Sequence, residues 1–119
     1  AYFRQCSVNV TATGIAKLAA VLANKGIAPW NGNRLITEES ATIVKSIMTT
    51  AGLYDESGEF SVHVGVPAKS GVGGGLMAAV PNLYGIGVFS PALDPFGNSA
   101  AGIQLLKDVV KELDADIFE

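Results

Sequence analysis

Lys69-Ser70-Gly71-Val72-Gly73-Gly74-Gly75 combines residue types that can do chemistry: a cation, a hydroxyl, and bare backbone. It follows the apolar run Val62–Val66 and precedes Leu76–Val80. Acyl-transfer sites need such a lip, where a cation sits beside a nucleophile and an uncovered amide N–H meets a developing oxyanion. A phosphate loop does not fit. Ala68 stands where a Walker loop needs glycine before Lys-Ser, and His63 stands where the earlier glycine belongs. A dinucleotide fingerprint fails too, because Gly71-Val72-Gly73 continues to Leu76 rather than glycine. A closely packed strand crossing could also use glycines. Three in a row, Gly73 to Gly75, carry a high conformational-entropy cost, which favours a functional use.

The other reactive side chains are few. His63 is the single histidine, and its alternation with apolar residues predicts a packed role on a strand rather than catalysis. Cys6 is the single cysteine; it excludes an internal disulfide and a cysteine-based metal site, and is expected to be small, apolar and buried. No metal or cofactor is expected. Tyr2 and Tyr54 lie beside loops, where a half-buried anchor and a catalytic phenol are equally open readings.

These groups must be held by 119 residues, enough for one domain at most. Hydrophobic residues make up 49% and charged residues 16%, with a mean hydropathy of +0.36. A typical domain carries about a quarter charged residues, so the composition predicts a large interface or part of a larger body, and self-association. Net charge is −3 and the basic residues are scattered, which argues against nucleic acid. Lys17, Lys25, Lys45 and Lys107 interrupt the apolar runs before they reach the ~18 residues of a membrane span. The opening Ala1-Tyr2-Phe3-Arg4-Gln5-Cys6 lacks a secretion-signal pattern, which points to a cytoplasmic location.

Periodicity predicts a helix within Val8–Lys25, capped by Thr11 or Thr13 and ended at Gly26, with Ile15, Leu18, Ala19 and Leu22 inward. Thr37 caps a second helix with Glu38 and Glu39 in its first turn; its expected apolar face is Ile43, Val44, Ile47 and Met48, and Gly52 ends it. A loop over Leu53–Glu59 leads to three expected strands, Phe60–Pro67, Gly74–Val80 and Tyr84–Phe89. The last two form a hairpin about Pro81-Asn82. Asn98 or Ser99 caps a final helix with its stripe at Ile103, Leu106, Val109, Val110 and Leu113. The order predicts an α+β fold, helices packed on an antiparallel sheet with an unsatisfied edge.

Tyr2-Phe3-Arg4-Gln5-Cys6-Ser7, Leu22–Gly26, Leu53–Gly58, Pro67–Gly75, Phe89-Ser90-Pro91 and Gly97-Asn98-Ser99 together carry a resemblance. Spread in order over nearly the whole chain, they make it similar to the C-terminal part of a serine-dependent L-glutaminase. Departures are small: Gly14 replaces a helix-friendly residue, and Lys25 stands where glycine is common. The resemblance implies a partial serine β-lactamase-like fold and an enzyme that hydrolyses L-glutamine to L-glutamate and ammonia. In that family the nucleophile is the serine of a Ser-x-x-Lys motif, and no serine of this chain has lysine three residues on. The family's upstream asparagines and glutamate also lack counterparts. Residues 1–119 are therefore expected to be a single-domain fragment of the catalytic domain, inactive alone.

Three residues carry over by position. Tyr2 matches the substrate-binding tyrosine of Tyr-Phe-x-x-Cys-Ser. Tyr54 matches the tyrosine that relays protons to the leaving nitrogen and contacts substrate. Val72 matches the residue whose backbone N–H forms half the oxyanion hole and touches substrate. Lys69 and Ser70 are second choices, a positive field and a hydrogen-bond donor on the same strand. Two alternatives stay open: a penicillin-binding-type peptidase or esterase fragment, which Tyr54-Asp55 disfavours, and a non-catalytic module that dimerises through its apolar excess.

Overall fold

The computed structural model describes residues 1–119, and short polar side chains mark where its long helices begin. A brief helix α1, Tyr2–Cys6, precedes α2, Ala12–Ala23. Thr11 Oγ1 accepts the Gly14 N–H at 3.0 Å, giving α2 the cap that its orphan amides need. Lys25 and Gly26 then turn left-handed, at φ 57° and 86°, and the Gly26 N–H bonds back to the Val21 carbonyl. Lys25 thus occupies a left-handed backbone, the conformation that favours glycine at a helix end. Thr37 caps α3, Glu38–Ala51, through the Ser40 N–H. Ser99 caps α5, Ala100–Glu112, through the Gly102 N–H.

Three strands, β1 Ala68–Ser70, β2 Gly75–Val80 and β3 Tyr84–Phe89, form an antiparallel sheet in the order β1-β2-β3. Leu76 pairs with Val88 and Ala78 with Ile86, and β1 meets β2 through Ser70 opposite Leu76. The alternation of β2 divides the interior. Leu76, Ala78 and Val80 join Leu106 and Val110 of α5 on one face, together with Phe60 and Val64. Ala79 joins Ala19, Leu22, Ala41 and Met48 on the other, with Met77 against them. The sheet is therefore sandwiched, with α2 and α3 on one side and α5 on the other, the α+β layering expected.

The close seating of α2 on β3 comes from small residues. A Cβ on Gly85 would lie 2.2 Å from the Ala20 nitrogen, and one on Gly87 would lie 2.1 Å from the Ala12 carbonyl oxygen. Ala12, Ala16 and Ala20 recur every four residues and so line one stripe of the helix, which drops into the groove left by the two glycines.

Several expectations are corrected. Where a loop to Glu59 and a strand over Phe60–Pro67 were expected, Ser57–His63 form a helix, α4; the turn that Ser57 stabilises starts it, and the strand is confined to Ala68–Ser70. His63 accordingly sits exposed at a helix end instead of packed in a strand. Cys6 is exposed, because α1 buries none of its residues. On α2, Ala19 and Leu22 are buried as expected and Ile15 is half-buried, but Leu18 is exposed, and Ala12, Ala16 and Ala20 make the contact with β3. On α3, Ala41 and Met48 are buried, whereas Ile43 and Ile47 are 52% and 58% exposed. Ile43, Val44 and Ile47 do lie on one face, but that face looks away from the core. Leu113, expected on the stripe of the last helix, is exposed one residue past the end of α5.

Candidate active site

The β1–β2 connection builds the first wall of the site. The Gly74 N–H donates to the Gly71 carbonyl and the Gly71 N–H to the Gly75 carbonyl, both at 3.0 Å. Gly74 adopts φ 96°, and a Cβ there would meet the Ser90 carbonyl oxygen at 2.6 Å. Glycine is required at that corner on both counts. The tight turn leaves Val72 at its tip, 69% exposed. The Val72 N–H donates to no backbone or side-chain acceptor of the chain, so an amide donor remains available at an open rim. Cβ atoms on Gly71 or Gly73 would have nothing within 4 Å.

The second wall is the turn after α3. Gly52 lets it approach the edge strand: a Cβ there would collide with the Ala68 carbonyl oxygen at 1.8 Å. The Ser70 N–H donates to the Gly52 carbonyl at 3.1 Å. A 3-10 turn, Tyr54–Glu56, follows. Tyr54 holds φ 53°, a left-handed conformation that costs energy for a residue with a Cβ and is retained where surroundings over-determine it. Those surroundings are visible. Ser57 Oγ accepts the Leu53 N–H at 2.9 Å and donates to the Tyr54 carbonyl at 2.7 Å. Asn98 Nδ2 donates to the Leu53 carbonyl and to Glu56 Oε2.

The two walls meet through Lys69, whose Nζ lies 4.8 Å from the centroid of the Tyr54 ring, a cation over an aromatic face. Its ammonium also donates to the Ser70 carbonyl. Burial pushes the Lys69 ammonium below the usual lysine pKa. Burial likewise raises the Glu56 carboxyl, and Asp94 adds to that rise while the Asn98 hydrogen bond opposes it. Ser70 is buried, with Oγ 3.4 Å from the Gly52 carbonyl, so it braces the strand edge from inside.

Tyr54, Lys69 and the turn carrying Val72 are thus assembled on one rim. Tyr2 is not joined to them: it is 73% exposed on α1, with its ring edge-on to Phe3 at 6.1 Å. Two clefts of about 270 and 300 Å³ lie between α4 and α5 and share His63 and Lys107, and neither reaches Tyr54, Lys69 or Val72.

The supporting roles of Gly52, Glu56, Ser57 and Asn98 are not evident from the sequence alone, whereas Gly74 lies in the glycine run that the sequence marks. In the sequence Asn98 stands out as a candidate helix cap and as part of the Gly97-Asn98-Ser99 landmark. Its signal was present in Gly97-Asn98-Ser99, a run with two candidate caps where the helix needs one. Ser99 takes the capping role, and its Oγ also donates to the Ser90 carbonyl at 2.7 Å.

The glutaminase family profile matches residues 1–118. A glutaminase of Clostridium perfringens, Glutaminase 1, is 64% identical over 98% of this chain, and that match takes in 38% of the clostridial protein. A Clostridium tetani glutaminase is 56% identical over 99% of the chain and 39% of its own length. The crystal structure of Bacillus subtilis glutaminase YbgJ, covalently bound to 5-oxo-L-norleucine, superposes with a TM-score of 0.95 at 41% identity, over 98% of this chain and 42% of that one. The chain spans about two-fifths of the length of the relatives it matches, and its fold is the corresponding part of the β-lactamase-like fold expected from the sequence. Profile, sequence identity and superposition agree over nearly every residue: this chain belongs to the glutaminase family.

Proposed function

We propose that this chain is the C-terminal portion of a catalytic domain that hydrolyses L-glutamine to L-glutamate and ammonia through a serine ester. The observation that carries this reading is the unpaired Val72 N–H at the tip of a glycine turn, on the rim that also holds Tyr54 and Lys69. A nucleophilic serine from elsewhere in the full-length protein, its proton taken by the lysine of the same Ser-x-x-Lys motif, attacks the γ-amide carbon. The amide oxygen takes up the negative charge and accepts from Val72 N–H, a donor that needs no rearrangement at that moment. The Tyr54 phenol passes a proton to the departing nitrogen, so ammonia rather than an amide anion leaves. Water then cleaves the ester and releases glutamate. Lys69 keeps the Tyr54 ring in place and adds positive charge near the developing oxyanion, while Ser70 holds the strand edge. Tyr2 binds the substrate from a separate element. The B. subtilis relative, in covalent complex with a ketone analogue of glutamine's side chain, supports this reaction class.

The absent Ser-x-x-Lys motif makes residues 1–119 inactive by themselves. Ammonia release from glutamine by the 119-residue chain and by the full-length protein tests this. Turnover by the short chain comparable to the full-length protein would overturn it, because nucleophile and base together account for about six orders of magnitude in other serine hydrolases.

We also propose a cytoplasmic homo-oligomer. The outward Ile43, Val44 and Ile47 face of α3 supports an interface, and a lone exposed cysteine suits a reducing compartment. No helix is long and apolar enough to cross a membrane. Sedimentation giving a monomer at every concentration would contradict the oligomer.

A further inference from the structure

Asn98 is fully buried, yet its side chain does not cap the helix that follows it. Instead Nδ2 reaches back across more than 40 residues of sequence, donating to the Leu53 carbonyl at 3.0 Å and to Glu56 Oε2 at 2.7 Å. Those acceptors flank Tyr54 on either side. No protein group donates to Asn98 Oδ1. A residue present only to fill the interior would be apolar, since a buried amide is costly unless its bonds do something specific. Asn98 is itself held at the loop end: its backbone N–H donates to Asp94 Oδ1 at 3.0 Å, and its carbonyl accepts the Asp94 N–H at 2.7 Å. This loop also runs beside the other wall: a Cβ added to Gly97 would come within 3.8 Å of Val72 Cγ1.

We infer that Asn98 is a positioning residue that locks the Leu53–Glu56 turn, and so fixes Tyr54 in its left-handed backbone beside Lys69 and in register with the Val72 turn. The inference rests on the reading of Tyr54 as the proton relay. One side chain thereby ties the Asp94–Asn98 loop, which runs beside the Val72 turn, to the turn that carries Tyr54. Asn98 touches no reacting atom. Its loss acts by letting Tyr54 relax toward ordinary backbone angles, which moves the phenol.

Steady-state kinetics of the full-length protein carrying this segment test it through a rescue. Asn98→Asp removes the Nδ2 donor and sets a second carboxylate against Glu56. It should lower kcat by about 10–100-fold while KM moves less than about 3-fold, the pattern of a misplaced transition-state group. Adding Glu56→Gln restores a hydrogen bond between the two side chains with its direction reversed, and the double variant should recover at least about 5-fold in kcat over Asn98→Asp. A merely structural role would show instead as lost folded protein with kcat per folded molecule intact. Tyr54→Phe, measured in parallel, reports on the proton-relay reading alone: full turnover there would overturn that reading and this inference with it. If Tyr54→Phe is impaired but Asn98→Asp keeps its kcat, or the double variant is no better than Asn98→Asp, the positioning role of Asn98 is overturned while the role of Tyr54 stands. Asn98→Ser, which keeps a donor and adds no charge, covers a failure of Asn98→Asp to fold; its loss should follow the same kcat-against-KM pattern, and an unchanged kcat would overturn the inference.

Discussion

Gly85 and Gly87 on β3 and Gly71 and Gly73 at the β1–β2 turn put one residue type to opposite uses. At the first pair an added methyl would strike the backbone of α2 at 2.1–2.3 Å. At the second pair it would meet nothing within 4 Å. The first pair is spent on assembly, letting a helix lie on a strand with no side chain between them. The second pair leaves space unfilled within this chain, beside an amide that donates to nothing. Glycines that no packing contact requires, beside a free donor, are what a substrate-facing turn needs. The contrast separates stability from chemistry: changes at β3 should unfold the protein, and changes at the rim should silence it while it stays folded.

The largest effect should come from the rim. Tyr54→Phe in the full-length protein should lower kcat by about 10²–10⁴-fold, the range for losing a general acid–base group, with a smaller change in KM. The ring that packs against Lys69 remains, so the unfolding midpoint should barely move. Loss of stability in proportion to activity would mean that Tyr54 belongs with the packed region instead.

The next effect belongs to the helix–strand contact. Gly85→Ala should destabilise by about 1–3 kcal/mol or more, because the clashing atoms are backbone and cannot rotate away. Urea unfolding of the variant reads this directly. Gly73→Ala is its counterpart and should stay within about 0.5 kcal/mol, the usual range for surface changes. Equal losses at the two positions would erase the distinction between them.

The smallest effect concerns pH. Burial raises the Glu56 carboxyl, so the folded state favours the neutral form. The resulting penalty is absent below the ordinary carboxylate pKa, grows as pH rises through the raised folded value, and is complete above it. Glu56→Gln removes the charge and keeps an acceptor for Asn98. Its stability relative to the parent should therefore be better at about pH 7 than at about pH 3. A variant relatively more stable in acid would show that the charged carboxylate is the form the fold prefers.

How much of this could be seen in the sequence follows the same division. The caps Thr11, Thr37 and Ser99 and strand β3 were legible because short polar side chains and alternation act locally. The strand expected over Phe60–Pro67 fails because Phe60, Val62, Val64 and Val66 suit a strand, while the Ser57 bonds that start a helix depend on the Leu53–Tyr54 backbone. On α2 the inward placing of Ala19 and Leu22 holds, while Leu18 points outward, because Gly85 and Gly87 make Ala12, Ala16 and Ala20 the residues in contact with β3. In the site, Lys69-Ser70-Gly71 stands out by composition and spacing, whereas Val72 is reached only through the family resemblance. The pairing of Lys69 with Tyr54 was not legible, since it requires the collision-free approach of Gly52 to Ala68. The role of Asn98 was hidden for the same reason: its acceptors, Leu53 and Glu56, are distant in sequence and meet it only in the fold.

The central claim is that the Val72 N–H is a working oxyanion donor, and a matched pair of variants addresses it. Val72→Pro deletes the N–H; Val72→Ala keeps it and trims a side chain already in the open. In the full-length protein, Val72→Pro should lower kcat by about 10²–10³-fold, equivalent to about 2.7–4 kcal/mol of transition-state stabilisation. Val72→Ala should stay within about 3-fold, as expected where only an exposed side chain is lost. Circular dichroism on both variants confirms that proline has not dismantled the sheet. Equal activity of the proline and alanine variants, both folded, would contradict the account.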